Sequence, residues 1–206
     1  EPNTGKPIAI LEGGSLTAIR TGAASGAATD ILARDDSQTA AIFGAGVQGR
    51  TQLEAVCTAR TIATAWIYDP DTALVRAFIA EMAGQGKIPT DLRAAETPKQ
   101  ATSQADIVCT ATTAQQPVYP FETLKAGTHI NGVGSFTLDM VENPPEMLGH
   151  ARVFVDSIEA IMEEAGEVVA AIDAGHIQQS NLTELGQVVA GEAPGRGSAE
   201  EITFFK

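Results

Sequence analysis

The stretch "TAAIFGAGVQGRTQLEAVCTA", residues 39–59, decides the fold. It opens on a short apolar run of strand type and closes on a segment that puts Leu53, Val56 and Cys57 on one helical face. Between them Gly44, Gly46 and Gly49 stand in GxGxxG spacing. The first glycine of that pattern permits the tight turn, the second lets a pyrophosphate come close to the backbone, and the third lets helix and strand pack. The helix start then attracts the phosphate charge. A strand, a glycine turn and a helix in this order are the opening unit of a dinucleotide-binding fold.

Working outward, "TAWIYD" (64–69) is the next strand, and its last residue, Asp69, comes 20 positions after Gly49. A carboxylate there takes both ribose hydroxyls of an adenosine and repels a 2′-phosphate, so NAD is expected over NADP. Asp69 also reads as a turn residue opening "DPDT". Further apolar runs follow at 91–96, 105–112, 127–134 and 151–157, with amphipathic helical stretches such as 71–84 between the first of them. Strands alternating with helices predict an α/β fold, a Rossmann-type doubly wound parallel sheet.

Composition agrees with a globular enzyme-sized domain. Of 206 residues 44% are hydrophobic, enough for a packed core, and no stretch approaches the ~20 apolar residues of a membrane span. The formal charge of −13 argues against nucleic acid and anionic membranes as partners. Cys57 and Cys109 lack pairing spacing, so a reducing, cytoplasmic setting is expected, and both read as small buried hydrophobes. His129, His150 and His176 form no ligand set, and no metal is expected. The chain opens on the turn-like "EPNTGKP" and stops on the strand-like "EEITFFK", and both ends read as continuing into something longer.

Upstream of the glycine stretch, residues 14–34 read as one helix capped by Ser15, with a stripe of Ala18, Gly22, Gly26 and Ala27. Glycine inside a helix costs about 1 kcal/mol against alanine, so two of them indicate close approach of another backbone or of a ligand. Arg20 lies in this helix, either a solvated charge or the centre of a site. Downstream, residues 181–191 read as a helix, and Glu163, Glu164 and Glu167 as a solvated face.

The motifs "GGSLTAIRTGAASGAA", "AIFGAGVQGRTQLEAV", "DIVCTAT", "GTHINGVGS" and "VFVDS", in this order, resemble the ornithine cyclodeaminase/mu-crystallin family over essentially the whole chain. The resemblance implies a division of the chain. Residues 1–34 would connect from a substrate domain, 35–175 would form the NAD(P)-binding Rossmann domain, and 176–206 would return to the substrate domain, of which only remnants are present. It also implies a homodimer and hydride chemistry at the carbon–nitrogen bond of a small amino or imino acid. Arg20 would then hold the substrate carboxylate, which a bidentate guanidinium suits. By the same resemblance Val47 and Gln48 touch the pyrophosphate, Thr112, Asn131 and Val133 line the nicotinamide side, and Thr21 makes a further phosphate or ribose contact.

One departure bears on the reaction. Where the family's cyclodeaminases carry an aspartate and, four residues on, a lysine, this chain has Phe136 and Met140. A phenyl ring moves no proton, so the deaminating step loses its acid–base group. The expectation is simple redox chemistry, as in the family's ketimine reductases and alanine dehydrogenases. Cyclodeamination and non-catalytic ligand binding are the alternatives. Asp139 is either a substitute acid or a surface residue at a helix start before "VENPPE".

Overall fold

The computed structural model describes all 206 residues. Its centre is one all-parallel sheet of eight strands, in the order β3-β2-β1-β4-β5-β8-β6-β7. Helix α1 (Gly13–Leu32) precedes β1 (Thr39–Phe43) and α2 (Val47–Ala59), and β2 (Thr64–Tyr68), α3 (Thr72–Met82), β3 (Leu92–Ala94), α4 (Pro98–Gln104) and β4 (Ile107–Thr110) follow. The second half contains β5 (His129–Gly132), α5 (Pro145–Leu148), β6 (Ala151–Val155), α6 (Ile158–Glu164), α7 (Gly166–Asp173), β7 (Leu182–Glu184), α8 (Leu185–Val189) and β8 (Ile202–Phe205).

Alternation along each strand builds the core on both faces. Ala40 and Ile42 of β1 pack with Leu53 and Val56 of α2 and Val75 and Phe78 of α3. Ala41 and Phe43 join Val108, Ile130, Phe204 and Val168 on the other face. Register brings the strand ends level: Phe43 pairs with Tyr68 and Thr110, and Thr110 with Gly132. The loops that carry Gly44, Asp69, Thr112 and Val133 therefore leave the sheet at one edge, where the chain order reverses between β1 and β4.

Three expectations about local structure are corrected. Helix α1 starts at Gly13, and Glu12 caps it by accepting from the Gly14 and Ser15 N–H groups; Ser15 does not cap it. Residues 181–191 are not one helix: Leu182–Glu184 pairs in parallel with β6 before α8 begins. Residues 176–206 do not lead away from the sheet, because β8 inserts between β5 and β6. Its side chains are buried on both faces, Phe204 with the Val108 cluster and Phe205 with Ala28, Leu32 and Phe154, which is the signature of an inner parallel strand.

Helix α1 also belongs to this body. A Cβ on Gly22 would lie 3.1 Å from the Thr51 Cβ and carbonyl oxygen, and one on Gly26 would lie 3.3 Å from the Ala55 Cβ. The two helical glycines thus let α1 pack against α2.

Below the sheet edge His129 is fully buried, Nδ1 2.9 Å from Thr203 Oγ1 and Nε2 3.2 Å from Asn131 Oδ1. Burial, aided by the Arg196 charge, lowers its pKa to about 3. The folded protein keeps this ring neutral while the unfolded chain protonates it below about pH 6.5. Its contribution is therefore full above that pH and is lost as pH falls from about 6.5 towards 3. Urea unfolding at pH 7.5 and 5.0 should show a loss of about 2 kcal/mol at the lower pH, and His129→Gln should remove that slope.

The glycine turn gives a second test. Gly44 has φ +97°, and a Cβ on Gly49 would fall 2.0 Å from the Gly44 carbonyl oxygen, whereas one on Gly46 would meet nothing within 4 Å. Gly49→Ala should destabilise the protein by about 2–4 kcal/mol in urea unfolding, and Gly46→Ala should change stability by less than about 1 kcal/mol.

Candidate functional site

Two clefts meet at the sheet edge and share Ala111, Thr112 and Thr113. The first, about 690 Å³, is lined by Gly44, Gly46, Tyr68, Asp69 and Leu74 among others. The second, about 410 Å³, runs from Arg20, Thr21 and Ser25 on α1 past Gln48 to Val133, Gly134, Ser135, Phe136 and Lys206. The glycine turn and the start of α2 lie between them. No side chain caps α2, so its first N–H groups face the crevice with a positive partial charge, a setting for an anionic group.

Asp69 makes the turn read from the sequence and also lines the first cleft. Its Oδ1 accepts from the Asp71 N–H (2.9 Å), a turn interaction, and its Oδ2 accepts from the Ala45 N–H in the glycine turn (2.9 Å). These bonds fix the carboxylate at the mouth of the larger cleft with acceptor capacity to spare. A cation that sequence spacing did not reveal stands nearby. Arg50 Nη1 donates to the carbonyls of Ala45 and Gly46, while its Nε donates to Glu81 (2.9 Å) and its guanidinium lies over the Phe78 ring. Its charge is paired within the protein.

On the other side Arg20, Thr21, Gln48, Thr112 and Val133 line the second cleft together. Thr21 Oγ1 is buried without a protein partner, a hydroxyl left free at this cleft. Val47, on the first turn of α2, is exposed and is not among the residues lining either cleft.

Asn131 is corrected. It is fully buried and absent from the cleft lining: its Nδ2 donates to Thr29 Oγ1 (3.0 Å) and its Oδ1 faces His129. Being a mid-strand residue, it points its side chain into the α1 side of the core. Asp139 also stands outside the lining, on an exposed loop. Hydrogen bonds from Thr137 and Gln115 hold its carboxyl below the usual range, which ill suits a proton donor.

Sequence reasoning missed a buried polar network beneath the second cleft. Glu142 is fully buried and accepts from the N–H groups of Thr112 (2.5 Å), Gly134 (2.5 Å) and Ser135 (3.1 Å). Desolvation pushes its pKa up against the opposing pull of these bonds. Glu167 is also fully buried, bonded by the Ser135 hydroxyl and Asn143 Nδ2 (3.2 Å) and paired with Lys206 Nζ (3.5 Å). Lys206 in turn donates to the Ser135 carbonyl (2.6 Å) and Oγ (2.7 Å).

The expected solvated face of Glu163, Glu164 and Glu167 is thus corrected for the last of them. Helix α6 stops at Glu164, and α7 restarts at Gly166, where a Cβ would lie 2.1 Å from the Met140 carbonyl oxygen. The break rotates Glu167 inward. The only available signal was the glycine inside an acidic helical stretch.

Comparison with known proteins accords with this geometry. A family model described as the ornithine cyclodeaminase/mu-crystallin family matches residues 1–206. A Delta(1)-pyrroline-2-carboxylate reductase of Bacillus cereus is 42% identical over 205 residues, covering 98% of this chain and 62% of that protein. The structure of Thermococcus litoralis Delta(1)-pyrroline-2-carboxylate reductase in complex with NADH and L-proline superimposes with a TM-score of 0.95 at 42% identity, covering 100% of this chain and 64% of that one. An archaeal alanine dehydrogenase dimer with bound NAD gives a TM-score of 0.90 at 33% identity, covering 99% and 62%. The chain spans less than two thirds of the length of these relatives. With the match extending from the first residue to the last, the chain belongs to the ornithine cyclodeaminase/mu-crystallin family.

Proposed function

We propose that this protein is an NAD-dependent oxidoreductase that acts on the carbon–nitrogen bond of a small imino or amino acid, reducing a cyclic ketimine such as pyrroline-2-carboxylate. The observation that carries the reading is one crevice with Asp69 at one end, an uncapped helix start in the middle and Arg20 beside Phe136 at the other. The 42% identity to pyrroline-2-carboxylate reductases supports the choice of substrate class.

The residues present fit the dinucleotide. Gly46 leaves open space where a Cβ would otherwise face a pyrophosphate, and the free N–H groups of α2 suit its charge. Asp69 has acceptors free for the adenosine ribose, and Arg50, paired with Glu81, offers no free charge to a 2′-phosphate. Thr112 and Val133 bracket the nicotinamide side. The nicotinamide supplies the hydride that reduces the imine carbon.

Arg20 accounts for the substrate. Its planar guanidinium can take a carboxylate through two parallel N–H bonds, which fixes the carbon next to it in place. Phe136, 59% exposed at the cleft, closes that side with a ring that neither gives nor takes a proton. An iminium therefore has to bring its proton from solvent, and a bound amine is not handed to a general base for elimination. That disfavours ornithine cyclodeamination. The alanine dehydrogenase relative keeps the acyclic counterpart open, in which the imine of pyruvate and ammonia occupies the same place. The dimeric state of that relative leads us to infer a homodimer here.

Fluorescence titration should show NADH binding at least about tenfold tighter than NADPH, and Asp69→Ser should narrow that ratio, since it removes the repulsion of a 2′-phosphate. A tenfold preference for NADPH would be fatal to the cofactor reading. NADH oxidation driven by pyrroline-2-carboxylate should have its KM raised about 10- to 100-fold in Arg20→Lys, with NADH affinity unchanged. Proline and ammonia formed from ornithine at enzymatic turnover would instead establish the cyclodeaminase chemistry.

A further inference from the structure

We propose that Glu142 is the positioning residue of the nicotinamide half of the site, a clamp that sets the separation of the two loops on either side of the ring. The inference rests on the cofactor reading above and names a residue that touches neither cofactor nor substrate.

Thr112 follows β4, and Gly134 and Ser135 follow β5. These loops form the second cleft, and their backbones come very close: a Cβ on Gly134 would lie 2.1 Å from the Thr112 carbonyl oxygen. Sheet bonding ends just before them. The N–H groups of Val133 and Gly134 reach back to the Thr110 carbonyl (2.8 and 3.2 Å), and beyond that point no strand pairing fixes one loop against the other.

The Glu142 carboxylate supplies the missing tie. Oε1 accepts from Thr112, while Oε2 accepts from Gly134 and Ser135, so one rigid planar group spans both loops. Converging N–H groups of this kind form an anion nest, and here the nest is filled from inside the protein. The arrangement leaves the crevice side of the loops free of an anion site of their own, and the pyrophosphate falls to the start of α2.

The side chain is itself held. The Glu142 carbonyl accepts from the Val118 N–H (2.8 Å), and the next residue, Asn143, donates to Thr110 Oγ1 (3.0 Å) and accepts from the Tyr119 hydroxyl (2.9 Å). Segment 142–143 is therefore pinned to the end of β4, and the carboxylate reaches the loops from a fixed base. A glutamine of the same shape would present an NH₂ to one set of backbone donors and lose the bonds there. The aspartate is one methylene shorter and would reach one loop at the expense of the other.

Asp69 and the glycine turn make no bond to Glu142, and the 111–113 segment that the two clefts share is tied to β1 independently of the clamp, through the Ala111 N–H donating to the Phe43 carbonyl (2.8 Å). ADP-ribose, which has every part of the cofactor except the nicotinamide, therefore separates the two halves. In Glu142→Gln the affinity for NADH should fall about tenfold or more and the emission of bound NADH should change, while the affinity for ADP-ribose stays within about twofold of wild type. Glu142→Asp should give a smaller loss of the same kind, and it carries the comparison should the glutamine variant fail to fold. A parallel fall for NADH and ADP-ribose, or no change in either, would overturn the role of Glu142 alone. Wild-type protein that takes ADP-ribose but not NADH would overturn the cofactor reading and this assignment with it.

Discussion

The contact of Gly49 with the Gly44 carbonyl oxygen is the constraint from which the rest of the molecule is organised. With no Cβ on residue 49, the first turn of α2 rests directly on the end of β1, and the helix start points into the crevice between β1 and β4. A helix held farther off would neither cover Ile42 nor aim its N–H groups at the strand ends. Helix α1 then depends on α2 through Gly22 and Gly26, and Arg20 depends on α1. Fold and site are linked through successive close approaches, each made possible by a missing methyl group.

What could be read from the sequence follows from this logic. The glycine turn, Asp69 and the flanking strands are local in the chain, with spacing set by backbone geometry, so pattern alone placed them. Helix α1 was legible as a helix, but its glycines could be assigned to α2 only once Thr51 and Ala55 were in view. Asn131 was misplaced because its neighbours Gly132 and Val133 do reach the cleft; Val133 lies past the end of β5, whereas Asn131 is inside the strand and its side chain is held in the core by Thr29 and His129. The family resemblance supplied the segment, and the point where β5 ends decided which of its residues line the cleft.

Glu142 and Glu167 illustrate the opposite case. Carboxylates are almost never fully buried unless paired, which is why Glu167 reads from the sequence as part of a solvated face. The ties from Glu142 to Thr112 and from Glu167 to Ser135 and Lys206 each cross 30 or more residues of chain, and no sequence pattern announces such a network. Burial of this kind is not a route to stability in itself, because desolvation offsets much of the pairing energy. It gives geometric definition, since each oxygen has to be satisfied in one arrangement and a shifted loop would leave a charge without a partner.

The division of labour across the crevice follows. On the Asp69 side the groups that line the cleft are held within the one β1–α2–β2 segment, residues 45–71: Asp69 to Ala45 and Asp71, Arg50 to the turn carbonyls. On the Arg20 side they are held by elements distant in sequence: α1 from before the sheet, the β4 and β5 loops clamped by Glu142, and Lys206 at the end of β8. A local device can be carried unchanged among proteins that bind the same nucleotide. A device assembled from distant elements can be altered at one of them without dismantling the other half. A substitution on the Arg20 side can therefore leave the Asp69 side of the crevice intact.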